Sequence, residues 1–415
     1  MPFSYIPFHL HLPNDLTPAK EDAITLMYPL DGVRVLALEN GVSAPLCTRI
    51  LGDLGADVIK IERPNIGDVH RHWDSIAKGF SAAHVWLDRN KRSFELDLKD
   101  EHGKEAFLKL AETADIIVQN FSPGVVDRLG IGYDQIREHN EQIIYINISG
   151  YGNEGEYKDR KAYDLVMQGE TGLILMNGHP DHPAKIPISI CDINSSTYGV
   201  ISALAALHQR STTNIGQEVN IDMFTGMLSW LGYFPFKYWY EGEQPKRVGM
   251  KHHIITPYGP HKTSDDDYIN FAILSDEHWR IFCEEVIEKP EIVNNEKFTS
   301  NDDRIEHRDE LESLVEDIIA SEPRDHWAKR FEKSNLPWGD INNIGDVLSH
   351  PRTLESNMIR TMDSDVGELK YIDNPIDMSE GEIQRKGLPK LGEHTIELLE
   401  ELGYSEDEID SFLQA

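Results

Sequence analysis

The sequence is poor in cysteine, poor in basic side chains and without a long apolar run, and each shortage removes a class of protein. Its three cysteines, Cys47, Cys191 and Cys283, are odd in number and far apart, with no C-x-x-C. Neither a disulfide framework nor a zinc ribbon can be built from them, and a reducing cytoplasm is the expected compartment. No uninterrupted apolar stretch reaches bilayer-spanning length, and the opening MPFSYIPFHLHLPNDL has neither a basic leader nor a small-residue cleavage site. A membrane span and secretion are therefore not expected. Lysine and arginine number 40 against 72 aspartates and glutamates, a formal net charge of −32. Such a surface repels nucleic acid and anionic lipid, whose binding depends on cations that neutralise phosphates, so neither is expected as a partner. Two origins of the acidic excess stay open: an ordinary solvated face, or a halophilic chain that keeps its carboxylates hydrated in molar salt.

What is present suffices for a core. Hydrophobic residues make up 40% of the 415 and aromatics 9%, enough for one large domain or two ordinary ones. The run VRVLAL at 33–38 reads as a buried strand, Gly41 to Pro45 as a turn, 46–54 as a helix stopping at Gly55, and Asp57 to Glu62 as a second strand. The alternation recurs with a helix over Glu101 to Thr113, a strand over Ile116 to Gln119, a helix over Tyr133 to His139 and a strand over Gln142 to Ser149. This βαβ order predicts an α/β fold whose mainly parallel sheet is wrapped by helices and binds ligands off the carboxyl ends of its strands. Further on, the spacing predicts a small-residue helix over Ile193 to Arg210 with Asp192 at its N-cap, a strand over Gln217 to Ile221, and an aromatic helix over Phe224 to Tyr240 interrupted by Pro235. The expected organisation is a leader at 1–29, a large domain at 30–225, a smaller one at 226–335 with a hairpin around Asp265 to Asp267, and a C-terminal segment at 336–415.

The turn Gly41-Val-Ser-Ala-Pro45 stands where a dinucleotide fold has three glycines, and it has one. A plain NAD enzyme is not expected. Basic residues are scarce enough for their places to matter. Arg63 follows the second strand, Lys91 and Arg92 precede SFELDLK, Arg128 follows the Asn120-Phe-Ser-Pro-Gly turn, and Lys158, Arg160 and Lys161 cluster beyond the 142–149 strand. Several fall just past strand ends, where a phosphate-bearing ligand lies in such a sheet. The histidine pairs His9/His11, His179/His182 and His252/His253 have no third ligand at metal spacing, and G-x-S-x-G is missing. Neither a metal site nor a Ser-His-Asp hydrolase is expected. Asp192 has two readings: a helix cap whose pKa is lowered by backbone N–H groups, and a nucleophilic carboxylate that forms a covalent intermediate.

The segments LDGVRVLALENGVSAP, LGDLGADVIKIERPNIGD, NKRSFELDLK, VQNFSPGVVDRLGIGYDQI, KAYDLVMQGETGL, ICDINSSTYGVISALAALHQRSTTNIGQEVNIDMF and LPKLGEHTIELLEELGY, taken in order, resemble the family III CoA-transferases from about Leu30 to the C-terminus. That family includes formyl-CoA transferase, carnitine CoA-transferase and relatives acting on dicarboxylic acids. The resemblance implies a Rossmann-like large domain completed by the C-terminal segment, a small α+β domain, and a homodimer of interlocked subunits. It implies acyl-CoA and small carboxylic acids as substrates, with coenzyme A as part of the substrate and no permanently bound cofactor.

Further, the resemblance makes Asp192 the nucleophile, kept ionised by its helix, and sets Asp164 beside it with Tyr163 near the reacting centre. Arg63, Arg128 and Lys161 take the places of residues that hold the CoA phosphates or pantetheine, and Leu96, Asn120 and Phe121 those lining its path. Formyl-CoA transferase has a glutamine in the first turn and a run of glycines in the small domain. This chain has Val42 at the first and Gly249-Met-Lys-His-His253 in the region of the second. A formyl or oxalate substrate is not expected. Lys251, His252 and His253 would instead receive the distal carboxylate of an acid such as succinate, malate, mesaconate or citramalate. Two alternatives stand: an α-methylacyl-CoA racemase, whose members carry a histidine where this chain has Tyr163, and a non-catalytic acyl-CoA-binding relative.

Overall fold

A computed structural model describes residues 28–414. Apart from its last two residues, the leader expected over 1–29 lies outside them, and His9 and His11 with it. The strand β1 (Arg34–Leu38) is buried at all but its first residue, as befits a strand covered on both faces. It turns into α1 (Ser43–Asp53) and β2 (Asp57–Glu62). Then follow α2 (Ala82–Leu87), β3 (Lys91–Glu95), α3 (Glu101–Ala111), β4 (Ile116–Gln119), the short α4 (Val125–Leu129) and α5 (Tyr133–Arg137), and β5 (Ile144–Ser149). The helices α6 (Asp164–Glu170) and α7 (Leu173–Met176) and the small hairpin of β6 (Gly178–His179) and β7 (His182–Pro183) lead into α8 (Ile190–Thr213) and β8 (Gln217–Asp222).

Six of these strands form one parallel sheet in the order β3-β2-β1-β4-β5-β8. From β1 the chain winds outward through β2 and β3, then restarts on the other edge of β1 with β4. The two halves therefore diverge between β1 and β4, which opens a crevice at the carboxyl ends of those strands. Apolar layers cover both faces: Phe94, Phe107 and Tyr145 on one, Cys47, Ala203 and Ala206 on the other. The small residues of α8 let it lie close on α1. A β-carbon at Gly199 would sit 2.7 Å from the Cys47 sulfur, so any larger side chain there would push the two helices apart.

Beyond the sheet, α9 (Met223–Trp230) and α10 (Phe234–Glu241) precede an antiparallel sheet of β9 (Tyr258–Lys262), β10 (Tyr268–Ala272) and β11 (Trp338–Gly339). Packed on it are α11 (Asp276–Ile281), α12 (Asn301–Glu306), α13 (Arg308–Ile319) and α14 (Arg324–Ser334), around a separate core that includes Phe271, Trp279, Phe282 and Phe331. The chain returns through α15 (Ile344–Ser349), α16 (Pro351–Glu355) and a hairpin of β12 (Ile359–Met362) and β13 (Leu369–Ile372), and ends in α17 (Thr395–Glu401) and α18 (Glu406–Gln414). The last two pack on the large sheet. Leu398, Leu399 and Ile409 join its core, and Thr395 Oγ1 accepts the Glu95 N–H at 3.1 Å.

Several local expectations shift. Helix α1 starts at Ser43 rather than at 46, because Pro45 falls in the first turn, where its missing N–H breaks no helical bond. Pro235 likewise sits in the first turn of α10 instead of interrupting a helix, and the break between α9 and α10 falls at Gly232, whose φ is 60°. Lys91 and Arg92, which precede SFELDLK, are the first residues of β3. Helix α8 begins at Ile190 after Ser189, which places Asp192 within the first turn and not at the N-cap. The small sheet takes β11 from residues just past the boundary expected at 335.

Candidate active site

At the crevice lies a cavity of about 400 Å³, lined among others by Asn40, Arg63, Leu96, Lys99, Asn120 and Phe121. Arg63 and Lys99 are exposed and make no ion pair among the described residues. Arg128 stands on α4 behind the Ser122 turn, and Lys161 reaches the same turn, its Nζ 3.3 Å from Ser122 Oγ. Two cations thus line the open cavity and two more stand by the turn that carries its Ser122 edge, an arrangement suited to a polyphosphate. Three of the other basic residues singled out from sequence are spent elsewhere. Lys91 is buried and bonds Glu39 at 2.6 Å, Arg92 pairs with Glu397 at 2.7 Å, and Arg160 pairs with Glu170 at 3.3 Å between the rings of Tyr151 and Tyr157.

Asn120 lines the cavity, but its amide serves the protein. The side-chain carbonyl accepts the Asn40 N–H at 2.9 Å, and Nδ2 donates to the Asn40 carbonyl at 2.8 Å and to Ser43 Oγ at 3.2 Å. The turn between β1 and α1 is thereby fixed at the cavity mouth. That turn also touches α8: Ser196 Oγ lies 2.6 Å from the Ser43 carbonyl, and Val42, buried, belongs to a cluster against which Ile193 packs. Ile193 is the neighbour of Asp192. The cavity and the start of α8 are therefore joined through one short turn.

Asp192 is half-buried in the first turn of α8. Asp164, opening α6, accepts the Cys191 N–H at 2.8 Å with one oxygen and a Gln168 N–H at 2.7 Å with the other. It thus satisfies one of the free backbone donors at the start of α8. Burial first, and the Asp164 charge second, push the Asp192 carboxyl up to about 7. This reverses the expectation of a carboxylate kept ionised by its helix, because desolvation and a like charge outweigh the helix dipole. The adjacent Cys191 thiol is pushed up to about 12, chiefly by burial, so it is no thiolate at neutral pH.

The remaining expected residues are more scattered. Tyr163 is 79% exposed in the single chain. His252 and His253 lie in the loop before β9, which Arg308 holds by donating to the His252 carbonyl at 2.7 Å. Their rings pack on Tyr258 at 4.8 Å and Phe234 at 4.7 Å. Burial lowers both pKa values, aided at each by Arg308 and at His252 by His253 as well. Lys251 is ion-paired with Glu312. In place of the cationic cluster expected at 251–253 stand two imidazoles with lowered pKa values beside a lysine whose charge is already matched. His252 accepts the Ile254 N–H at Nδ1 and can donate from Nε2, whereas His253 gives its Nε2–H to the Lys246 carbonyl at 2.9 Å.

Two features escaped the sequence reading. Lys99 stood unremarked at the end of NKRSFELDLK. Glu39, Asp68 and His70 form part of a buried polar layer under the cavity, for which a carboxylate ending the apolar strand VRVLAL was the one local signal.

Residues 30–395 match the model of CoA-transferase family III. The chain is 31% identical to succinyl-CoA:glutarate CoA-transferase of Homo sapiens, over 93% of this chain and 89% of that one. It is also 31% identical to succinyl-CoA:mesaconate CoA-transferase of Haloarcula hispanica, over 91% of this chain and 97% of that one. Among solved structures it is similar to a CAIB/BAIF family protein from Brucella suis, with a TM-score of 0.79 and 32% identity over 90% of this chain and 99% of that one. Among the described residues no helix is long and apolar enough to cross a membrane.

Proposed function

The chain belongs to CoA-transferase family III, and on that footing we propose that it moves CoA from succinyl-CoA, or another small dicarboxylyl-CoA, to a dicarboxylic acid such as mesaconate, malate or citramalate. The observation that carries this reading is the Asp192 carboxyl, set in the first turn of a helix that one short turn joins to a cation-rimmed cavity. Arg63, Lys99, Arg128 and Lys161 hold the CoA phosphates, Leu96 and Phe121 line its path, and CoA comes and goes with the substrates.

The ionised Asp192 carboxylate attacks the thioester carbonyl; the C–S bond breaks, CoA leaves as thiolate, and an aspartyl mixed anhydride forms. The acceptor carboxylate attacks the aspartyl carbonyl and releases succinate. The thiolate then attacks the acceptor's acyl carbon, which makes the new thioester and frees Asp192. Asp164 fixes the turn that carries the nucleophile and raises its pKa, so that the carboxylate, once formed, is more basic and more nucleophilic than an ordinary one. His252, whose Nδ1 accepts the Ile254 N–H and whose proton is therefore on Nε2, receives the distal carboxylate as a hydrogen-bond donor. His253, its Nε2–H held by the Lys246 carbonyl at 2.9 Å, shapes the acyl pocket with Tyr163 and Val42.

A second copy of the chain completes the enzyme. In the single chain Trp230, Phe236, Tyr238, Trp239 and Tyr240 on α9 and α10 are 46–80% exposed, a surface more apolar than a free protein face carries. Light scattering on the eluting protein should report a dimer; a monomer would refute this.

The test is incubation in D2O with succinyl-CoA, a panel of dicarboxylic acids and a branched 2-methylacyl-CoA, read by mass spectrometry. New thioesters with matching release of succinate establish transfer and name the acceptor. Deuterium at the α-carbon without acyl exchange would replace the reading by racemisation, and binding without turnover by a non-catalytic role.

A further inference from the structure

Beneath the cavity floor lies a layer of ionisable groups that the proposed chemistry does not use. Glu39, Lys60, Glu62, Asp68, His70, His84, Asp88 and Lys91 are all less than 5% exposed. Lys60 Nζ lies 2.7 Å from Asp88, 3.0 Å from Asp68 and 3.2 Å from Glu39; Lys91 bonds Glu39 at 2.6 Å, and Arg71 bonds Glu62 at 2.6 Å. The carboxylates of Glu39, Glu62, Asp68 and Asp88 outnumber the cations Lys60, Arg71 and Lys91 by one. An unmatched charge is costly at such depth, and two histidines remain to supply its partner.

His84 does not supply it. Its Nε2 lies 3.0 Å from Arg71 Nη1, which can only donate, so this nitrogen keeps its lone pair while Nδ1–H donates to Asp88 at 2.7 Å. His70 is placed differently. Its Nε2 faces Asp88 Oδ2 at 2.5 Å, and its Nδ1 faces the Gly41 carbonyl at 2.9 Å and Asp68 at 3.2 Å. The Gly41 carbonyl can only accept. Burial alone would raise the Asp88 carboxyl, yet Lys60, 2.7 Å from its Oδ1, holds it well below the usual range, so its Oδ2, which already takes the His84 N–H, accepts here too. Lys60 approaches the same Nε2 only at 3.5 Å. Both ring nitrogens thus meet acceptors, and a proton on each satisfies both bonds and balances the layer. His70, His84 and Asp88 could by type and spacing hold a metal ion. The lone pairs such an ion would need are already engaged, however: His84 Nε2 by Arg71 Nη1 at 3.0 Å, Asp88 Oδ1 by Lys60 at 2.7 Å and Asp88 Oδ2 by the His84 N–H at 2.7 Å.

The bond to Gly41 connects this layer to the reaction. Gly41, with φ at 73°, has its N–H taken by Asp68 Oδ1 at 3.2 Å and its carbonyl by His70, while the preceding Asn40 is held at both backbone groups by Asn120. The next residues, Val42 and Ser43, are those that touch α8 beside Asp192. We propose that His70 is a positioning residue for CoA transfer: as an imidazolium seated between Asp88 and Asp68, it pins the Gly41 carbonyl and so fixes the turn that aligns the CoA cavity with Asp192. This rests on Asp192 as the nucleophile.

The test compares His70→Leu, which removes both bonds, with His70→Gln, which keeps a donor for Gly41. A displacement of order 1 Å between reacting groups costs about 100-fold in rate, so kcat of His70→Leu should fall about 10- to 100-fold. KM for succinyl-CoA should stay within about 3-fold, because Arg63 and Arg128 are untouched, and His70→Gln should regain part of kcat. Nitrogen-15 spectra of the histidine-labelled wild type, with His70 assigned by its loss in His70→Gln, should show both ring nitrogens protonated at pH 7, whether or not the leucine variant folds. A neutral His70 ring, or folded His70→Leu with unchanged kcat, overturns the proposal. If Asp192→Ala is inert while His70→Leu is fully active, this inference alone fails; if Asp192→Ala is active, the reading of the nucleophile fails first.

Discussion

Replacing Asp192 by asparagine separates the charge of this side chain from its shape. The folded protein holds the Asp192 proton up to about 7, whereas an ordinary aspartate gives it up near 3.8. Between those values the folded state binds more protons than the unfolded one, so raising the pH through the window costs stability, and above it the full cost is carried. At about 1.4 kcal/mol per pH unit, a shift of about three units bounds this cost at about 4 kcal/mol, and water reaching the half-buried carboxyl lowers it to about 1–3 kcal/mol. An asparagine side chain in its place carries no such charge. The Asp192→Asn protein should therefore be more stable than wild type by about 1–3 kcal/mol at pH 8, and the two should converge near pH 4, where Asp192 is protonated. Urea denaturation at both pH values measures the difference. In a succinyl-CoA transfer assay at pH 8 the same variant should be inert, with bound CoA retained. An equal stability offset at both pH values would refute the electrostatic argument, and surviving transfer would refute the nucleophile.

The same titration should appear in the kinetics: kcat/KM for succinyl-CoA should rise with pH along a limb centred near 7, and a flat profile from pH 5 to 9 would contradict the assignment. Arg63→Ala and Arg128→Ala should each raise KM for succinyl-CoA about 3- to 10-fold with kcat little changed; steady-state kinetics showing a loss in kcat alone would place these residues elsewhere in the reaction. Asn120→Ala removes both clamps on Asn40 and should lower the unfolding free energy by about 1–3 kcal/mol, measured by urea titration, together with kcat. If the net charge of −32 reflects carboxylates that need molar salt, the unfolding midpoint should rise from low to molar KCl; equal midpoints would leave an ordinary solvated face.

Most of the large domain was legible because its signals are local. The apolar runs at 33–38 and 57–62 became β1 and β2 almost residue for residue, since a strand covered on both faces announces itself by composition. Errors gathered at helix starts, where Pro45, Pro235 and Asp192 each fit one position as well as another until neighbours decide. The cavity was half legible. Arg63, Leu96, Asn120 and Phe121 do line it, but Lys91 could be separated from the exposed cations only by its buried partner Glu39, fifty-two positions away in the chain.

By itself, then, the sequence determined the βαβ alternation, the scarcity and placement of cations, and the presence of an aspartate near the start of a small-residue helix. These depend on spacing along the chain. Tertiary structure alone decided the strand order that opens the crevice between β1 and β4, the burial that, with the Asp164 charge beside the first turn of α8, lifts Asp192 to about 7, and the lowered pKa values of His252 and His253. Each of those follows from burial and from charges contributed by distant segments, and the energy of a charge is set by what surrounds it in space rather than by what precedes it in sequence.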